Sequence, residues 1–207
     1  MNGKYLGNYR LIKPVGEGGY AQVYLGLHLL LQVPVAIKLL HRVSWKEHAL
    51  FLEEARMIAR LDHPAIIRLK DFAVIDGVPF LVMDFAAGGS FRRHCPHGTR
   101  LELSHVISVV TVLASALDYA HACGIVHRDV KPENILVRNQ RVVLSDFGLA
   151  ALRSAKLTDQ IMGTVAYGAP ELTWGRQTLP AGDQYSLAVC VYEWLAGRLP
   201  FWDEDKG

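Results

Sequence analysis

A glycine cluster near the N-terminus has the composition of a phosphate-binding loop and nearly fits the pattern G-x-G-x-x-G. Alone the pattern is weak, because it also opens dinucleotide-binding folds, where a helix follows the glycines. Here the cluster is followed by Gln22–Leu25, whose composition favours a strand. A glycine-rich hairpin can lay its backbone amides over phosphates without a helix, although an ordinary glycine turn fits the same residues. The cluster comprises Gly16, Glu17, Gly18, Gly19, Tyr20 and Ala21.

Lys38 lies two residues after Ala36 in an apolar run that predicts a strand. Alternation along a strand places both side chains on one face, about 7 Å apart, where Ala36 could lie against a base and Lys38 against phosphates. A surface lysine on an edge strand would give the same pattern. Glu54 lies four residues from both Leu50 and Ile58, on the apolar face of a predicted helix. A buried carboxylate needs a partner, and Lys38 is the expected one.

Three further motifs follow in order. They are His127-Arg-Asp-Val-Lys-Pro-Glu-Asn134, Asp146-Phe-Gly148 and Ala169-Pro-Glu171. The three motifs follow Lys38 and Glu54 in the sequence, and their order and spacing resemble those of eukaryotic-type Ser/Thr protein kinases, particularly the bacterial members. The resemblance implies an α+β, bilobal kinase fold over residues 9–207. A β-rich N-lobe (9–85), with an antiparallel sheet and one long helix, would be joined by a hinge (86–90) to a mostly helical C-lobe (91–207).

The resemblance also implies a reaction, the Mg²⁺-dependent transfer of the γ-phosphate of ATP to Ser/Thr hydroxyls of proteins in signalling, with autophosphorylation included. Asp129 would accept the hydroxyl proton and Lys131 would hold the γ-phosphate. Asn134 and Asp146 would bind Mg²⁺ through oxygen, with Mn²⁺ as an alternative metal. The residues expected around ATP are Val15, Gly16, Glu17, Gly18, Gly19, Tyr20, Ala21, Val23, Ala36, Lys38, Glu54, Met83, Asp84, Ala86 and Leu136.

Three more residues receive roles from the same resemblance. Arg128, directly before Asp129, would pair with a phosphate added to the segment between the second and third motifs. Thr158 is the preferred phosphorylation site in that segment. Asp183 would hold the backbone of the loop that carries Asp129.

Periodicity predicts the elements that must position these residues. Apolar or alternating runs predict strands at 11–15, 22–25, 33–40, 66–73, 79–85, 135–137 and 142–144. Helical spacing predicts helices at 44–61 and 183–196 and a third that begins at Ser104 and ends before a C-cap at Gly124. The glycines of residues 86–90 predict a flexible linker.

Composition excludes several other classes of protein. The 207 residues are 51% hydrophobic and carry a net charge of +2, which favours a globular core and gives no electrostatic case for nucleic acid. Three widely spaced cysteines exclude a disulfide framework and a paired-cysteine zinc site. Without a signal peptide or a predicted membrane span, the expected location is the cytoplasm. A membrane span elsewhere in a longer protein would place it at the cytoplasmic membrane face.

The sequence ends soon after the helix predicted at 183–196, so the C-lobe is expected to be truncated. That helix is apolar nearly all round, and we expect its uncovered surface to favour self-association. Three function classes stay open. An active kinase is favoured because the five residues that this chemistry requires are all present. A nucleotide-binding scaffold without activity would be favoured by a missing member of this set, and an inactive interaction fragment only by the absent helices. The set is Lys38, Glu54, Asp129, Asn134 and Asp146.

Overall fold

The structure is a computed structural model, and it describes residues 4–17, 21–40, 52–53, 55–147, 166–173 and 179–201. The chain forms two compact units, one of residues 1–62 and 67–86 and the other of residues 63–66 and 87–207. Five predicted site residues lie outside the described residues. They are Gly18, Gly19, Tyr20, Glu54 and Thr158.

The first unit contains a six-stranded antiparallel sheet with the strand order β1-β2-β3-β4-β6-β5. Residues 52–53 and 55–58 of this unit are helical. The strands are β1 (Tyr5–Leu6), β2 (Tyr9–Glu17), β3 (Ala21–His28), β4 (Pro34–Leu40), β5 (Leu69–Ile75) and β6 (Val78–Asp84).

One face of this sheet forms a hydrophobic core, because alternate residues of the central strands point to the same side. The buried cluster contains Leu6, Tyr9, Leu11, Tyr24, Val35, Ile37, Leu39, Phe80 and Val82. The sheet is curled, since the Tyr9 hydroxyl of β2 donates a 3.0 Å hydrogen bond to Asp71 of β5, although three strands separate β2 from β5 in the sheet order. Burial, together with the hydrogen bond and negative charge of Asp71, raises the pKa of Tyr9 to about 12.

This shift predicts a loss of stability in alkali. Between a pH of about 10, where an ordinary tyrosine ionises, and about 12, the unfolded chain releases a proton that folded Tyr9 keeps, so stability falls as pH rises. Urea unfolding at pH 8, 10 and 11 should show the stability advantage of the wild type over Tyr9→Phe shrinking with pH. A constant difference across this range would contradict the assignment.

The second unit contains four described helices and a hairpin. These are α1 (Phe91–His94), α2 (Leu103–Ala122), β7 (Ile135–Arg138), β8 (Arg141–Leu144), α3 (Pro170–Thr173) and α4 (Pro180–Ala196). The two long helices pack together through their apolar faces. In α4 the buried face includes Leu187, Cys190 and Trp194, whereas Tyr192 and Leu195 are each 40% exposed. Within the described structure, one side of this helix is therefore buried, and apolar residues remain on its exposed side.

The predicted starts of one strand and one helix need correction. The strand predicted at 66–73 begins at Leu69, because Ile66 instead forms a parallel bridge with Leu144 in the second unit. The helix predicted at 183–196 begins at Pro180, a residue suited to a first turn because that turn needs no N–H from it.

The predicted linker at 86–90 is hydrogen-bonded rather than free over part of its length. The amide of Gly88 donates to the carbonyl of Val137 in β7 at 3.0 Å, and the amide of Val137 donates to the carbonyl of Gly89 at 2.8 Å. A Cβ at Gly88 would lie 2.7 Å from the Val137 carbonyl oxygen, so this close pairing requires glycine.

Among the described residues, only α2 is long and apolar enough to span a membrane by length and composition. The core helix of a soluble protein passes the same test, so one such helix is a weak indication. Here one side of α2 is buried within the second unit. Its buried residues are Val106, Val109, Leu113, Ala116, Leu117 and Ala120.

Candidate active site

The sheet of the first unit brings four predicted nucleotide-contacting residues onto one face. Strand register pairs Ala36 of β4 with Met83 of β6, and Lys38 of β4 with Val23 of β3. Residues opposite one another in antiparallel strands share a face, and so do residues two apart on one strand. Ala36, Lys38, Val23 and Met83 therefore lie together on the face opposite the hydrophobic core, and all four are half-buried.

Other predicted contacts lie at the edges of this face. Gly16 pairs with Val23, and the flanking Val15 and Glu17 are exposed on β2. Ala21, at the start of β3, is buried.

At the end of β6, Asp84 and Ala86 occupy different settings. The Asp84 amide donates to the Arg68 carbonyl at 3.1 Å, and its carboxylate pairs with Lys70 at 2.9 Å. Ala86 is buried.

In the second unit, a helix cap directs the chain into the loop His127–Asn134, called the 127–134 loop below. At the end of α2, Gly124 adopts a positive φ of 75° and its amide donates to the His121 carbonyl. The amide of Ile125 donates back to the Ala120 carbonyl at 2.9 Å. This Schellman pattern reverses the chain, and the burial of Ile125 anchors it two residues before the loop begins.

The 127–134 loop brings together the three residues predicted to be catalytic. Lys131 Nζ lies 2.9 Å from Asp129 Oδ2. Asn134 Nδ2 donates to the same oxygen at 2.9 Å and to the Asp129 carbonyl at 2.7 Å. Two donors on one carboxylate oxygen fix its orientation.

Ser145, for which the sequence indicates no role, joins this loop to the end of β8. Its amide and its hydroxyl both donate to the Asn134 carbonyl at 2.9 Å, and its hydroxyl lies 3.5 Å from Asp146 Oδ2. Asn134 and Asp146 are thus held on either side of one buried serine. No motif marks Ser145, because its role depends on the meeting of loop and strand.

His127 is fully buried, and burial lowers its pKa in spite of the nearby negative charge of Asp183. The neutral ring accepts the Asp129 amide at Nδ1 (3.2 Å), so Nε2 carries the proton and donates to the Ser145 carbonyl at 2.8 Å. The ring also packs edge-on against Phe147, with centroids 4.5 Å apart. Leu136, the remaining predicted contact, lies in β7 and is half-buried.

Asp183 holds the 127–134 loop as the sequence predicted. Its carboxylate is buried and accepts the amides of His127 and Arg128, each at 2.7 Å, and Nε2 of His121 at 2.8 Å. Arg128 has a positive φ of 69°, a strained value for a residue other than glycine. Asp146 has a φ of 63°. Strain of this kind persists only where surrounding bonds enforce it, and such positions concentrate at active sites.

The donor set of the second unit fits Mg²⁺. Both partners of Asn134 Nδ2 are acceptors, which assigns the amide nitrogen to them and leaves Oδ1 as the oxygen that can bind a cation. With the Asp146 carboxylate this gives hard oxygen ligands, and Mg²⁺ commonly uses one or two protein oxygens together with phosphates and water. Within the described residues no cluster of three or more His, Cys, Asp or Glu could hold a metal.

Comparison with known families decides the assignment. The family described as the protein kinase domain matches residues 9–207. The chain belongs to the protein kinase family. This confirms the predicted family and the α+β kinase fold class.

The chain is also similar to named bacterial kinases, as the resemblance of its motifs predicted. Serine/threonine-protein kinase Pkn1 of Myxococcus xanthus is 39% identical over 210 residues, which cover 96% of this chain and 30% of that protein. PrkC of Bacillus subtilis is 33% identical over 202 residues, covering 94% and 31%. PknL of Mycobacterium tuberculosis is 38% identical over 200 residues, covering 93% and 50%. The chain thus spans between 30% and 50% of the length of these three relatives.

Proposed function

We propose that this kinase domain transfers the γ-phosphate of ATP to Ser or Thr hydroxyls of proteins, with Mg²⁺ as the metal. The observation that carries the proposal is the convergence of Lys131 and Asn134 on one oxygen of Asp129. Names of the bacterial relatives support the Ser/Thr class. The need for ATP, together with these relatives, supports a cytoplasmic location.

Phosphoryl transfer depends on positioning and on neutralising charge more than on covalent help from the protein. Asp129, oriented by Lys131 and Asn134, accepts the proton of the attacking hydroxyl. Lys131 Nζ, 2.9 Å from that carboxylate, supplies a positive charge next to the reacting oxygen.

The proposal assigns different side chains to the metal and to the nucleotide. Asn134 Oδ1 and the Asp146 carboxylate would hold Mg²⁺, which, when bound, neutralises charge on the phosphates. On the sheet of the first unit, Ala36 leaves room for a flat base, and Val23 and Met83 line the same face. Lys38, two residues along that face, would pair with phosphate oxygens.

Phosphoamino-acid analysis tests this proposal. The chain is incubated with ATP labelled in the γ-phosphate and a mixture of acceptor proteins, with Mg²⁺ or with excess chelator. We expect label on phosphoserine or phosphothreonine and none on phosphotyrosine, and chelation should abolish transfer. Label on tyrosine alone, or transfer that persists without divalent metal, would overturn the proposal.

A double-mutant cycle tests the partnership that the sequence predicts for Lys38. Lys38→Met should lower phosphoryl transfer by about 10²-fold, because misplacement of phosphates by about 1 Å has such an effect. Glu54→Gln should impair the same step, and the double variant should be little worse than either single variant. Lys4→Met, at an exposed position outside the sheet, is the control and should keep full activity. Fully additive losses would show that Lys38 and Glu54 act independently.

A further inference from the structure

Glu193 is a carboxylate in an apolar stretch of α4, and its side chain is only 3% exposed. Its Oε1 accepts a hydrogen bond from Arg92 Nη1 at 2.8 Å, and His97 Nδ1 lies 2.8 Å from the same oxygen. Its Oε2 accepts from Arg92 Nη2 at 3.1 Å and from the Tyr167 hydroxyl at 2.6 Å. Burial alone would raise the pKa of Glu193, but the bonds from Arg92 and Tyr167 lower it, so the group is charged.

Arg92 extends these bonds to the 127–134 loop. Its Nε donates to Glu133 Oε1 at 2.8 Å, and its backbone amide donates to the Pro132 carbonyl at 3.1 Å. Its Nη2 also contacts the Tyr167 hydroxyl. One guanidinium therefore joins three separate segments, namely the loop, α4 and the 166–173 segment. We call Arg92, Glu133, Tyr167 and Glu193 the Arg92 network.

Stability alone is a poor explanation for this network. The desolvation of two buried charges commonly offsets their attraction, and well-packed apolar residues of similar volume often do as well or better. A planar guanidinium that holds a carboxylate through two parallel bonds instead fixes distance and angle. Glu133 and Pro132 directly precede Asn134, so the restraint is applied within two residues of a proposed metal ligand.

We propose that Arg92 is a positioning residue whose bonds to Glu193, Glu133 and Tyr167 hold the 127–134 loop in the geometry required for phosphoryl transfer. This inference rests on the proposed function. Arg92 contacts neither nucleotide nor acceptor in this account and acts through Asn134 and its neighbours. Its loss should therefore lower kcat and leave ATP affinity nearly unchanged.

The deciding experiment separates positioning from stability. Arg92→Met, Glu193→Leu and the double variant are made in the full chain, with Arg93→Met as control because Arg93 is the neighbouring exposed arginine. Thermal melting, the Kd for ATP, kcat and KM on a Ser/Thr peptide, and hydrogen exchange of the 127–134 amides are measured for each. Each single variant of the pair removes the main partner of a largely buried charge and should melt lower, whereas the double variant should recover much of the loss.

We expect the double variant to keep a kcat reduced at least tenfold and faster exchange in the 127–134 loop, despite its recovered melting temperature. Recovery of kcat and slow exchange together with melting temperature would overturn the inference and leave a structural role only.

Tyr167→Phe gives an independent reading, because it removes one hydroxyl and keeps the packing. It should lower kcat without a comparable change in the Kd for ATP, and an unchanged kcat would also overturn the inference. If the wild-type chain transfers no phosphate, both the proposed function and this inference are wrong. If the wild type is active and the variants are unaffected, only this inference is wrong.

Discussion

Asp129→Asn should bind ATP as the wild type does and transfer phosphate about 10³-fold more slowly, within the range that a general base contributes. The amide keeps the shape of the carboxylate and can still accept from Asn134 or Lys131, so the 127–134 loop should keep its conformation. It cannot accept the hydroxyl proton. Nucleotide titration, thermal melting and the initial rate of peptide phosphorylation measure the three properties.

Asp118→Asn is the matched control, since Asp118 is an exposed carboxylate on α2. It should be indistinguishable from the wild type in all three measurements. Transfer at the parental rate by Asp129→Asn would mean that another group accepts the proton.

Asp183→Ala should destabilise the chain by about 3–5 kcal/mol, among the largest effects of a single substitution. The alanine leaves the amides of His127 and Arg128 without their acceptor, at about 1–3 kcal/mol each. It also releases the bond that holds Arg128 at its positive φ. Urea unfolding measures the change, and phosphoryl transfer should fall in the fraction that stays folded.

Two variants calibrate this prediction. Asp183→Asn keeps one carbonyl oxygen and so should lose less stability than the alanine variant. Asp118→Ala, on the exposed side of α2, should change stability by less than about 0.5 kcal/mol. A loss below about 1 kcal/mol in Asp183→Ala would show that water or other groups can replace the carboxylate.

The face of the sheet that we propose for the nucleotide was predictable from local sequence. Two-residue alternation put Ala36 and Lys38 on one face, and the described strands confirm this arrangement. Alternation could not supply the partners across the sheet. The pairing of Ala36 with Met83 depends on β6 lying between β4 and β5, an order set by how the whole sheet packs.

The predicted element boundaries were wrong where contacts between residues distant in sequence determine them. Ile66 is β-branched and was predicted to start the strand at 66–73, yet it forms a bridge with Leu144 and belongs to the second unit. Likewise, Gly88 lies in a glycine-containing stretch typical of a linker, but its backbone forms a hydrogen bond with Val137. Neither partner is near in sequence, so local pattern held no information about them.

The burial of Glu193 could have been predicted from the sequence. Like Glu54, Glu193 is a carboxylate in an apolar helical stretch, and a buried carboxylate needs a partner. This pattern would have predicted a buried cationic partner, though not that Arg92 supplies it from 101 residues away. Ser145 carried no such signal, because a serine before Asp146 has no pattern that demands a role.

The most direct test of the central claim compares label transfer from ATP labelled at the γ-phosphate with transfer from ATP labelled at the α-phosphate. With Mg²⁺ and a Ser/Thr acceptor, the wild-type chain should transfer label only from the γ-position, and Asp129→Asn should give about 10³-fold less. Saturable ATP binding without γ-label transfer above the Asp129→Asn background would contradict the account. The chain would then be a nucleotide-binding scaffold rather than a kinase.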